Sequence, residues 1–325
     1  MTLPYLPRLF CLVMASFFLV YLVASAIVSL LAPLAIRIAK RLKPRLAPRF
    51  LLAFRLQPFK LSAGMALGLC VPSYLRFEPE LFDEPVGLAC LALAMLGLGI
   101  CGAAVSRTIR AGARSAMFAR QCRRSGHEMA VPGPFLPTFV VGGSAPFLAL
   151  TGIVRPRVVI SKSIFEALSG EELSVVLRHE SAHRTSRDNL KRLFIFLAPG
   201  IMPLLGGGRA LERAWNTFAE YAADEEAVAG DANRALALAS ALVRVARFGS
   251  MSDAAPVATP FLGEVSELAA RVDRLLTGTR SSECARRVSW STVAAVVMLA
   301  GCAALVIFQP ETLRLVHSLT ERLID

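Results

Sequence analysis

Histidine is scarce in this chain, with four residues in 325. That scarcity argues against a histidine-rich metal tract and makes any close pair of imidazoles informative. The seven cysteines form no C-x-x-C pair, and Cys11, Cys70, Cys90, Cys101 and Cys302 fall in apolar runs. Neither a disulfide framework nor a thiolate zinc site is expected. Leu299-Ala300-Gly301-Cys302 has the form of a lipoprotein cleavage box, but it sits inside an apolar run far from any N-terminal signal and reads as coincidence. Acidic residues are missing from 37–60 and from 106–124, and charge of either sign is missing from 9–36, 86–105 and 288–308. No internal repeat is evident.

The charge-free runs are each long enough to cross a hydrocarbon core of about 30 Å at about 1.5 Å per residue. The composition agrees: 55% of residues are hydrophobic and the mean hydropathy is +0.55, against about 45–50% apolar in soluble domains. A shorter run, 61–75, contains Pro72 and is ambiguous by length. Charge decides it. The acid-free basic stretches 37–60 and 106–124 both belong on the cytoplasmic side by the positive-inside rule, which requires the short run between them to cross as well.

The expected organisation follows. Residues 1–124 hold three transmembrane helices (about 9–36, 61–75 and 86–105) and two basic cytoplasmic loops. Residues 125–287 form a cytoplasmic domain, 288–308 a fourth transmembrane helix, and 309–325 a short extracytoplasmic tail. The location is the cell membrane, multi-pass. The first run is apolar for too long, and lacks the basic start, for a signal peptide. The net charge of +12 is more than supplied by the two basic stretches. It is topogenic, in contact with the lipid bilayer, and no direct nucleic-acid partner is expected.

In 125–287, Pro132, Pro134 and Pro137 mark a linker. Two β-rich runs, 147–152 and 157–160, flank a Gly/Pro turn and read as a hairpin. Its strands are either ordinary core or an edge that pairs with an extended substrate. Ser169-Gly170-Glu171-Glu172 is a capping box that opens a helix. The apolar run 193–205 is too short to cross. Gly206-Gly207-Gly208 breaks the chain, and a helix is expected from about Glu212. Residues 231–248 and 264–276 read as amphipathic helices.

The capped helix carries His179-Glu180-Ser181-Ala182-His183. Residues i and i+4 share a helix face, so both imidazoles can reach one metal ion. Zinc in a catalytic site keeps three protein ligands and one open position. His179 and His183 supply two. His127 and His317 are poorly placed for the third, and Glu220 in Glu220-Tyr221-Ala222-Ala223-Asp224 is the better one. Asp224, one turn on, is positioned to accept from the outer nitrogen of a ligating histidine. Glu180 is the expected general base, with one Zn2+ per chain. Tyr221, Arg271 and Arg274 are unranked donors for a developing oxyanion. Asp188 either braces the active helix or pairs with Arg184 or Arg187.

These segments together with Arg187-Asp188-Asn189 and Trp215 resemble the BlaR/MecR-type gluzincin membrane metallopeptidases, related more distantly to HtpX and CaaX-prenyl zinc endopeptidases. The resemblance covers about 147–224 in motif and 9–308 in layout. It implies an α-helical membrane protein with a cytoplasmic α+β zincin-like (gluzincin) metallopeptidase domain. His179, His183 and Glu220 would bind zinc, Glu180 would be the base, and Asp224 would hold a ligand. The implied partner is a protein substrate, a cytoplasmic repressor or other regulator, and the oligomeric state is open. The sequence departs from the signal transducers: no S-x-x-K motif occurs, and the run after Phe308 is too short for a penicillin-binding sensor, so antibiotic sensing is not implied. Two other functions fit the same residues: an HtpX-like quality-control protease, and an inactive membrane receptor or scaffold.

Overall fold

The computed structural model describes residues 4–78, 86–129, 137–142, 146–198, 206–248, 259–260, 265–277, 314–315 and 318–319. The run 288–308 lies outside them. The chain opens with α1 (Tyr5–Ala39) and turns through α2 (Ala47–Arg55). It continues as α3 (Gln57–Met65), a π-helical turn (Ala66–Cys70) and α4 (Val71–Phe77), and then α5 (Leu88–Ser125). Among the described residues, α1 and α5 are long and apolar enough to cross a membrane. The short run is helical from Gln57 to Phe77. Its π-turn precedes Pro72, which has no N–H and whose ring would meet the carbonyl of Gly68 in a regular α-helix; the wider turn relieves that clash. Near the start of α1, buried Arg8 pairs with Glu78 (Nη2–Oε1 3.0 Å) and donates from Nε to the Tyr74 hydroxyl at 2.7 Å. These bonds tie α1 to the end of α4.

The basic stretch 106–124 is not a loop. It is the second half of α5. Arginine is a good helix former and no proline interrupts the run, so nothing ends the helix before Gly126.

Five strands form one sheet: β1 (Gly126–Met129), β2 (Thr138–Val141), β3 (Leu148–Thr151), β4 (Arg157–Ser161) and β5 (Thr259–Pro260), in the order β1-β2-β4-β3-β5. β3 and β4 form the expected hairpin, with Leu148 opposite Ile160 and Thr151 opposite Arg157. Gly152 leaves β3 at φ 94°, and a Cβ there would lie 2.9 Å from the Arg155 carbonyl oxygen, so the turn requires glycine. β3 is not the open edge that a substrate-pairing strand needs, because β5 pairs with Ala149 and Leu150 on its other side.

The helices that follow are α6 (Lys162–Ala167), α7 (Gly170–Ser186), α8 (Asp188–Leu197), α9 (Gly207–Val228), α10 (Ala232–Ala246) and α11 (Val265–Leu276). One core joins Leu148 and Ile160 of the hairpin to Val176 of α7 and to Leu238, Leu242 and Val245 of α10. Each such side chain gains about 1.5–3 kcal/mol on burial.

A second core joins α9 to α1 and α2: Leu211 and Trp215 pack with Val28, Ala32, Ala35 and Leu51. α9 begins at Gly207, earlier than the expected start near Glu212. The glycines serve contact rather than chain breaking. A Cβ on Gly207 would fall 2.4 Å from the Ser29 carbonyl oxygen, so only glycine lets the two backbones meet. Arg107 of α5 donates from Nη2 to the Phe196 carbonyl at 2.8 Å and caps the end of α8.

Candidate metal centre

The capping box fixes where α7 starts. Ser169 Oγ accepts from the Glu172 amide at 3.2 Å, and Glu172 Oε2 accepts from the Ser169 amide at 2.8 Å. Glu172 Oε1 also accepts from Ser240 and from Arg244 Nε at 3.2 Å, both on α10. The start of α7 is thereby locked to its neighbour, and the phase of every later residue on α7 is set.

Further along α7, His179 and His183 lie one turn apart on the buried face. Their Nε2 atoms are 3.1 Å apart. Glu220 enters from α9, with one carboxylate oxygen 3.4 Å from each Nε2. The candidate ligand atoms of these three buried residues all lie within 4.8 Å of one another.

Each imidazole is held from behind. His179 Nδ1 lies 2.9 Å from Asp224 Oδ1, and His183 Nδ1 lies 2.8 Å from Asp188 Oδ2. Asp188 reaches its position through the turn that ends α7. Arg187 adopts a left-handed conformation (φ 55°, ψ 42°), which costs a non-glycine residue roughly 1–2 kcal/mol. The chain reverses there, and the first residue of α8 comes back beneath His183. Asp188 therefore braces the active helix, and its other oxygen accepts from Lys191 at 2.7 Å. Asn189 donates to the carbonyls of Leu150 and Gly152 at 3.1 and 2.9 Å, which fastens the same turn to β3.

Arg271 of α11 lies across the back of the site. Its Nε and Nη2 donate to the two oxygens of Asp224 at 2.8 and 2.6 Å, and its Nη1 lies 3.0 Å from Glu220 Oε2. The sequence offers Arg271 as an oxyanion donor, but the structure commits it to two carboxylates. Arg274 stacks over the Tyr221 ring at 4.7 Å. His127 sits on β1, away from the cluster, and His317 lies outside the described residues.

The electrostatics follow from burial and pairing. Burial works to lower the histidine pKa values, but the carboxylates around them outweigh it. His179 is raised, chiefly by Asp224 and Glu220, and His183 is raised to about 10 by Glu220 and Asp188. Burial works to raise Glu220 and Asp224, yet His183 and Arg271 hold Glu220 well below the usual carboxylate range, and Arg271 and His179 lower Asp224. Glu180 differs. Burial pushes its carboxyl up, and both its oxygens are buried with no hydrogen-bond partner among the described residues.

The donor set fits a divalent ion of zinc type. Zinc–nitrogen bonds of about 2.0–2.1 Å at tetrahedral angles place two nitrogens roughly 3.3 Å apart, close to the observed separation. Two imidazoles and a carboxylate converge on one point, each imidazole backed by an acid, which is the donor set and outer support of a zinc-type site.

Two comparisons bear on this arrangement. Residues 144–275 match the sequence model of the family described as BlaR1 peptidase M56. No curated protein matches the chain.

Proposed function

Since residues 144–275 belong to the BlaR1 peptidase M56 family, a family of metallopeptidases, we propose that this protein is an integral-membrane zinc metalloendopeptidase that hydrolyses peptide bonds of a protein substrate. His179, His183 and Glu220 hold the metal and Glu180 is the general base. One observation carries the reading: a buried three-ligand cluster with both outer imidazole nitrogens facing carboxylates, beside a buried glutamate with no other partner among the described residues.

When bound, zinc supplies a Lewis acid that polarises the scissile carbonyl and makes water a nucleophile near neutral pH. Asp188 and Asp224 keep each imidazole in the tautomer whose Nε2 lone pair faces inward. Glu180 takes a proton from the attacking water and passes it to the leaving amine. Arg271 keeps Glu220 and Asp224 ionised.

Multi-pass insertion with the catalytic side in the cytoplasm is part of the proposal, supported by α1, α5 and the acid-free basic stretches. So is the substrate. The resemblance to signal transducers favours regulatory cleavage of a cytoplasmic repressor or other regulator. Quality-control proteolysis is the second reading, and substrate breadth separates the two.

The test is metal content and peptide cleavage by the purified full-length protein beside Glu180→Gln and Glu220→Gln. The reading expects one zinc per chain. It expects Glu180→Gln to keep the metal and lose on the order of 10²–10⁴-fold in rate, and Glu220→Gln to lose both metal and activity. Wild-type protein that binds no metal would sink it. Stoichiometric zinc without cleavage of any protein would favour a scaffold.

A further inference from the structure

The hairpin that fastens the turn after α7 borders two cavities lined by arginines. On one side, Arg120 and Arg123 of α5 face Arg155 and Arg157 around a cavity of about 200 Å³. On the other, Arg184 and Arg187 border a cavity of about 370 Å³ whose wall includes Gly152 and His183. Val154, at the hairpin tip in the wall of the larger cavity, is 90% exposed.

Among the described residues, none of these six arginines forms an ion pair with an acidic side chain. The acid in the wall of the larger cavity, Asp188, is already engaged by His183 and Lys191. Four separate parts of the fold (the end of α5, the hairpin, the end of α7 and the turn after it) therefore bring like charge together without compensation. Arg187 adds a second observation. Its left-handed backbone would accommodate glycine without strain, so the arginine there carries a conformational cost.

We infer that this surface is a docking site for an acidic segment of the protein substrate, with carboxylates bound at the arginines and the adjacent chain led past Gly152 toward His183. The inference relies on the peptidase reading for the word substrate, but not for the binding itself. Charge complementarity selects the partner, and exposed Val154 offers an apolar contact beside Arg184 and Arg187. Lipid headgroups fit less well. At 1.5 Å per residue, Arg120 lies roughly 20 Å further along α5 than Val105, where the charge-free run ends, whereas a headgroup layer is only roughly 5–8 Å thick.

The test uses full-length Glu180→Gln protein, zinc-loaded, in nanodiscs of neutral lipid. The probes are a synthetic peptide of alternating Glu and Ser and its Gln counterpart. The Glu peptide is expected to bind at least about tenfold more tightly at low salt, with affinity falling as salt rises. The paired variants Arg120→Gln/Arg123→Gln and Arg155→Gln/Arg187→Gln should each shrink that preference. Arg187→Gly guards against misfolding: it removes the charge and the strain together, so preference should fall while Tm holds or rises. Equal binding of the two peptides, or a preference intact in every variant, overturns the proposal. So does a loss confined to binding of phosphatidylglycerol vesicles, which would assign the arginines to lipid. Acid-selective binding by a protein whose wild type cleaves nothing would keep the docking surface and sink the peptidase reading. Cleavage without acid preference would do the reverse.

Discussion

Arg271 grips both oxygens of Asp224 while its remaining nitrogen lies 3.0 Å from Glu220. One side chain thus sets the position of the proposed metal ligand and of the acid behind a second ligand. Removing it leaves two buried carboxylates facing each other without that counter-charge. Arg271→Gln is expected to lower stability by about 3–5 kcal/mol and to weaken zinc binding by roughly 10–100-fold. Chelator competition and thermal unfolding with and without zinc read the two effects separately. Unchanged zinc affinity would refute the positioning role.

The two acids behind the imidazoles should act in parallel. Asp188→Ala and Asp224→Ala are each expected to reduce metal affinity by roughly 10–100-fold, and Asp224→Ala also to lower stability, because it strips buried Arg271 of its bidentate partner. Zinc titration of each variant, with circular dichroism to check helix content, is the measurement. A loss in Asp224→Ala alone would show that Asp188 only anchors the turn.

Glu172 gives a pH signature. Burial works to raise its pKa, but the hydrogen bonds from Ser240 and Ser169 and the charge of Arg244 lower it overall. A carboxylate lowered on folding contributes stability above its unfolded value, about 4.3, and that stability is lost as pH falls through the folded value. Glu172→Gln should therefore cost about 1–2 kcal/mol at neutral pH, and the gap between wild type and variant should start to narrow near the unfolded value of about 4.3 and close only once pH has fallen through the lower folded value. A gap that persists at low pH would mean that charge is not what Glu172 contributes. Thermal unfolding across roughly pH 3–8 decides.

At Gly207 the contact is backbone to backbone, so no flexible side chain can move aside. Gly207→Val should displace the start of α9 from α1, at a cost of about 1–3 kcal/mol. Because α9 also carries Glu220, zinc affinity should fall with it. Equal zinc affinity in wild type and variant would show that α9 absorbs the shift before Glu220.

What is legible in the sequence is local. The Ser169–Glu172 box, the four-residue spacing of His179 and His183, and the same spacing of Glu220 and Asp224 each follow from the geometry of a single helix, and the structure sets them face to face. Sequence leaves Asp188 between two roles because the outcome depends on a left-handed turn at Arg187, which arginine's own preference disfavours. It points Arg271 toward an oxyanion because nothing in its neighbourhood along the chain reveals that α11 folds across the back of α9. Charge pattern gives a side of the membrane for 106–124 but says nothing of its conformation. The glycines before α9 look like a break because a backbone contact with Ser29 leaves no trace in local sequence.

The packing of α9 has a practical meaning. Its first turns share a core with α1 and α2 through Leu211 and Trp215, while a later turn carries Glu220. A fragment cut to begin at Ser125 would strip the partners from one end of that helix and leave a tryptophan bare, so trimming should cost the 125–287 region stability. On the proposed membrane-peptidase reading, detergent choice, acyl-chain length and lateral pressure should all register in turnover, because whatever tilts α1 also moves the footing of Glu220.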